Sequence, residues 1–267
     1  MGWLIASTSA GYAASLAMAG LGVALGGWRT AFVLSGLLPA LGAAMLIAAL
    51  RPFPNRIHPR PASGGLGDEM LRNRESRLLV AGYTGHSWEV VGMWAWIPAF
   101  LAAAFALKGA GTSGATTAGA YLAGLLHLFG ATAALTMGRL SDRTGRRPVL
   151  VAATPRGLCF VTLGDSPVLT TAVSEVVRPG YLGGVLAWRG LAGFGAGAVA
   201  PLAFGFILDQ TTLKGPAISW GLGFATLGLG GAVALACALL LRQHRPHAMA
   251  HGPHHVAGKR VGHEKRE

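Results

Sequence analysis

Charge is scarce in this chain. Only 12% of its 267 residues are Asp, Glu, Lys or Arg, and just 10 of them are acidic. A soluble domain coats its surface with roughly 25% charged residues, so this composition argues against one. An apolar content of 52% and a mean hydropathy of +0.49 also exclude a disordered chain. Cysteine is nearly absent too. Cys159 and Cys237 both stand in apolar surroundings, which leaves no disulfide framework and no CxxC metal site. The sequence contains no phosphate loop of the type GxxxxGK[ST] and no nucleophile beside an obvious base, so neither an ATP-driven pump nor an enzyme finds support. No cofactor or metal is expected.

What the chain does have is long uncharged runs and 41 glycines. A helix crossing a hydrocarbon layer of ~30 Å needs about 20 apolar residues. Six stretches qualify: Leu4 to Leu25, Ala31 to Leu50, Leu78 to Leu107, Ala115 to Met137, Tyr181 to Leu208 and Ala217 to Leu241. The expected fold class is therefore all-α, a polytopic transmembrane helical bundle with about six clear spans and one irregular segment. The first stretch lacks a basic n-region, so it reads as a span and not as a signal peptide.

The net charge of +12 would suit nucleic acid if it covered one folded face. It is instead gathered between spans: Arg51 to Arg77 follows the second, Arg139 to Arg147 the fourth, and Arg242 to Arg266 the last, while the opposite connections hold little beyond Arg29, Lys108 and Lys214. Short cytoplasmic loops are enriched in Lys and Arg, so the chain starts inside and returns inside after each pair of spans. Pro148 to Val176 breaks the pattern. Its 29 residues carry Pro155, Arg156, Asp165 and Pro167, and at 1.5 Å per residue they are too short for two crossings. One crossing would put the basic tail outside, whereas with the tail inside this stretch must enter and leave on one side; both outcomes fit badly, which points to missing sequence. The organisation expected is two spans in 1–50, a cytoplasmic loop in 51–77, a membrane half in 78–241 that is incomplete at 148–176, and a disordered His-rich tail in 242–267.

The fourth span ends in Gly138-Arg139-Leu140-Ser141-Asp142-Arg143-Thr144-Gly145-Arg146-Arg147. Gly138 admits a neighbouring helix, Asp142 sets a carboxylate at the membrane edge, Gly145 permits a tight turn, and Arg143, Arg146 and Arg147 anchor the loop inside. An ordinary positive-inside loop would do the same. The full spacing G-x-x-x-D-R-x-G-R-R resembles the signature loop of the major facilitator superfamily of transporters. Trp88-Glu89 with Gly92 to Pro98, Gly180 to Gly184 leading into Gly193 to Pro201, Gly27-Trp28-Arg29, and Gly164 to Glu175 are similar to further segments of that family. The resemblance implies helices five to twelve of a twelve-helix transporter, with part of nine and ten missing and the first four absent. It implies a small-molecule substrate moved by alternating access in the inner or plasma membrane, with a second copy or a separate N-terminal half as partner. A transport-incompetent remnant packing against another membrane protein is the alternative.

Ionisable groups at membrane depth are costly and default to functional roles. Glu89 heads the substrate or proton-pathway candidates, against a reading in which it pairs with a loop arginine at the membrane edge. Asp165 could line the cavity or cap a helix in an Asp-Ser-Pro turn. His127 could carry protons or pack. Arg189 could meet an anionic solute or snorkel to the surface. Trp94, with Trp88 and Trp96, could wall the cavity or anchor its helix. Gly22 with Gly26, and Gly193 with Gly197, read as close-packing faces. The tail histidines read as a solvated end.

Overall fold

The computed structural model describes residues 2–54, 59, 64–153 and 164–242, all helical or in turns, with no strand among them. Seven α-helices run α1 (Gly2–Leu50), α2 (Arg74–Leu107), α3 (Thr112–Thr144), α4 (Arg146–Ala153), α5 (Asp165–Val176), α6 (Pro179–Thr211) and α7 (Pro216–Leu240), with a π-helical turn at Asp68–Arg72 before α2. Five helices among the described residues are long and apolar enough to cross a membrane, beginning with Leu25–Leu50. The Leu4 to Leu25 stretch expected as a sixth is helical but is not among those five. Ser7, Thr8, Ser9, Tyr12 and Ser15 dilute its apolar run.

The helix boundaries follow local chemistry. Asn73 caps α2, its side-chain oxygen accepting the Ser76 N–H at 3.2 Å. Prolines open α6 and α7, where a missing N–H costs nothing. The α1 helix is interrupted at Gly26 and Gly27, where φ of +76° at Gly27 leaves the helical region. Gly22 and Ala31 come into backbone contact across that break, so the chain doubles back there as a hairpin. The incoming arm runs antiparallel to α3, with Tyr12 on His127, Leu16 on Gly124 and Gly20 on Tyr121. The outgoing arm is largely unpacked, and Trp28, Phe32, Leu37, Leu41 and Met45 face outward.

Helix α2 is the central post, flanked by α6 and α7. Gly85 of α2 and Gly230 of α7 meet so closely that neither could carry a Cβ without striking the other's carbonyl. Gly193 and Gly197 of α6 receive Tyr83, Ser87 and Val91 of α2, as their spacing implied. Two apolar cores result. One gathers Leu79, Val149, Val168, Val173 and Val185 near the arginine-rich end. The other gathers Met93, Ala200, Phe204 and Leu227, with Trp96, Trp220 and Phe224 around them. The residues between them along α2 and α6 hold the polar groups.

Of the irregular segment, the start of α4 and the end of α5 lie together. Arg146, opening α4, binds Glu175, near the close of α5, with Nη2 to Oε1 at 2.7 Å. The 12 residues of α5 reach about 18 Å inward at 1.5 Å each, roughly half a membrane. Residues 154–163, including Cys159 and Pro155, and the tail beyond 242 lie outside the described residues.

Candidate functional site

The signature loop folds as its glycine and arginines suggest. Gly145 ends α3 with φ of +93°, a conformation that favours glycine, and so turns the chain into α4. Arg146 lies across this turn. Its Nη1 donates to Asp142 at 2.6 Å and to Ser141 at 2.8 Å, while Nε and Nη2 fork onto the Glu175 carboxylate. Partial burial works against the Arg146 charge, but the bonds to Glu175 and Asp142 outweigh it and raise the guanidinium pKa above its ordinary value. Arg147 donates to the Leu239 carbonyl at 2.9 Å and so ties α4 to the end of α7. Arg143 is exposed. Gly138 and Asp142 line a cleft of about 230 Å³ between α3 and α5, rimmed by Trp3 of α1.

A second grip lies beside the first. The Asn73 amide nitrogen donates to the Val176 carbonyl at 3.1 Å and to Glu69 at 3.2 Å. Glu69, buried in the π-helical turn, pairs with Arg178, whose guanidinium stands 5.0 Å from the Tyr181 ring centre.

At the other end of α5 is a buried polar cluster. Asp165 opens the helix, and its Oδ1 lies 3.0 Å from Nδ1 of His86 on α2, both side chains being about 95% buried. The two atoms are close but not aligned for a hydrogen bond. The other ring nitrogen of His86, Nε2, is 2.6 Å from the Ser166 hydroxyl. Arg189 of α6 donates to Thr170 at 3.0 Å and stacks on Tyr83 with its Cζ 3.5 Å from the ring centre. That stacking leaves Arg189 buried, with no snorkelling toward the surface, and its Nε has no partner. Glu89 sits one turn beyond His86, more than 20 Å along α2 from Arg74 at 1.5 Å per residue, with its carboxylate against Gly231 of α7. It makes no ion pair with a loop arginine among the described residues.

The sequence candidates therefore fall into two groups. Asp165 and Arg189 both belong to the buried polar cluster around α5, Asp165 at its tip facing His86 and Arg189 on Thr170, with Glu89 one turn beyond His86 on α2. His127 and Trp94 do not join them. His127 stacks on Tyr12 with ring centres 4.1 Å apart, Trp94 lies 4.9 Å away, and the Tyr12 hydroxyl donates to the Trp94 carbonyl. His127 Nδ1 is 3.0 Å from the Ala123 carbonyl, a helix-internal contact, while Nε2 is buried without a partner. Trp88 and Trp96 donate to the Thr226 and Pro201 carbonyls and so serve helix packing. His86 was not singled out from the sequence. An ionisable side chain in an apolar run was the available signal, and Ser166 and Thr170, ordinary helix residues, gave none.

No group of three or more potential metal ligands occurs among the described residues. No curated protein and no solved structure matches the chain. The sequence profile of the Major Facilitator Superfamily, in contrast, matches residues 1–164, well over half of the length and inclusive of the Gly138 to Arg147 loop. Together with the apolar spanning helices, that match makes this an integral membrane protein of a transporter family: the chain belongs to the Major Facilitator Superfamily.

Proposed function

We propose that the chain moves a small solute across the inner or plasma membrane by alternating access, with the cluster of Asp165, His86, Ser166, Arg189 and Glu89 as the polar part of the path. One observation carries the reading. Three ionisable side chains on three helices, His86, Asp165 and Arg189, are each more than 90% buried at the depth of the bundle's middle. His86 Nδ1, Asp165 Oδ1 and Arg189 Nε are buried without a hydrogen-bond partner, and such groups are costly in a membrane unless they act on something. His86, Asp165 and Glu89 can each hold a proton, which suits coupling of solute flux to a proton gradient. The arginine-rich end faces the cytoplasm in this reading, by the bias of short loops.

One half-cavity cannot close around a solute, so the proposal includes pairing with a second copy or a separate half. The second reading, a transport-incompetent chain that only packs with another membrane protein, is favoured by the outward-facing arm Leu25–Leu50. Reconstitution into liposomes containing a trapped pH dye separates the two. A panel of sugars, amino acids, carboxylates and organic cations is added outside, and solute uptake and internal pH are followed. We expect at least one solute to enter with proton movement, and Asp165→Asn to abolish that movement. Absence of uptake for the whole panel, with the chain alone and at doubled protein density, would sink the transport reading.

A further inference from the structure

The corner where α5 passes into α6, residues 175–178, is held from two independent directions. Glu175 is gripped by Arg146 from the α3–α4 turn. Val176 receives the Asn73 amide from the start of α2, and Arg178 pairs with Glu69 of the π-helical turn. Asn73 stands at the junction of these contacts. Its oxygen caps α2 at Ser76, and its nitrogen reaches both Glu69 and Val176. Helix α5 has only 12 residues, and its far end places Asp165 and Ser166 on His86. A short helix without an internal break transmits a displacement at one end to the other.

We propose that Asn73 is a positioning residue: with Arg146, it fixes the corner of residues 175–178, and through α5 as a rigid lever it sets where Asp165 and Ser166 meet His86. The inference rests on reading the Asp165–His86 contact as the centre of the path. The clamp itself requires only the observed hydrogen bonds. The two contacts of Asn73 are separable because they use different atoms. Asp at position 73 keeps the oxygen that caps α2, and Asp is as good a cap as Asn. It loses both donated bonds and sets a carboxylate beside Glu69.

The test uses the full chain in lipid nanodiscs and needs no solute. Hydrogen exchange is measured for the unsubstituted chain, Asn73→Asp, Arg146→Gln and Arg146→Lys, together with the nitrogen-15 resonances of His86 in histidine-labelled protein, assigned through His86→Gln. In Asn73→Asp and in Arg146→Gln, amides 168–177 should exchange at least tenfold faster and the His86 ring resonances should move. The first turn of α2 should stay within twofold in Asn73→Asp, and Arg146→Lys should restore part of the protection. Unchanged exchange in α5 in both variants would overturn the clamp, as would a loss confined to the first turn of α2. Faster exchange with an unmoved His86 signal would overturn the lever. None of these results depends on uptake, so a failed transport assay and a failed lever are distinguishable.

Discussion

The two ends of α5 hold polar groups by opposite means. At the arginine-rich end, contacts are many and partly wet: Arg146 alone reaches Ser141, Asp142 and Glu175, and the side chain of Asp142 is 66% exposed. At the inner end contacts are few and dry, with Asp165 facing one histidine and Arg189 one threonine and one ring. Exposed ion pairs typically contribute 0.2–1 kcal/mol because water competes for both partners. Removing one partner of a buried polar contact leaves the other unsatisfied and costs about 1–3 kcal/mol, more where a charge is involved. The wet end can therefore lose a contact and persist, while the dry end cannot.

Substitutions can be ordered along that contrast. Asp165→Ala should have the largest effect, a loss of about 2 kcal/mol or more in reversible unfolding from mixed micelles, because buried His86 loses the carboxylate that faces it at the tip of α5. A loss below about 1 kcal/mol would mean that water reaches this site as it does the other end. Arg146→Gln should cost about 1 kcal/mol and the loss should shrink in high salt, as read by the same unfolding at two ionic strengths. Asp142→Ala should cost less still, since Glu175 continues to hold Arg146.

The smallest effect concerns pH. The Arg146 pKa is raised by its carboxylate partners, so its stabilising contribution is fully present below the ordinary arginine value and is lost only as pH rises through the raised one. The natural clamp should thus be indifferent to alkali up to about pH 10. Lysine has an ordinary pKa of about 10.4, so Arg146→Lys should lose α5 protection as pH climbs through the region just above that value. Hydrogen exchange corrected for its intrinsic pH dependence reads the difference.

Much of the wet end was legible in the sequence. Gly145, Asp142 and Arg146 follow one another at a spacing that itself implies a turn crossed by an arginine, and local geometry delivers that result. Glu175 was legible only as a charge at the end of a segment, since its partner lies 29 positions away. The spans were readable because hydrocarbon imposes a length on apolar runs. The dry end was less readable. Asp165 and Arg189 announced themselves as charges among apolar residues, but nothing local says that His86, 79 positions before Asp165, completes the contact. His127 looked equivalent to Asp165 on composition alone. Only the antiparallel packing of α1 on α3 separates it into an aromatic stack.

The contact between Gly85 and Gly230 carries a mechanical meaning. Two backbones that touch with no side chain between them set the spacing of the helices they belong to: any residue larger than glycine at either position would have to push α2 and α7 apart, and with them the two apolar cores on either side of the polar cluster.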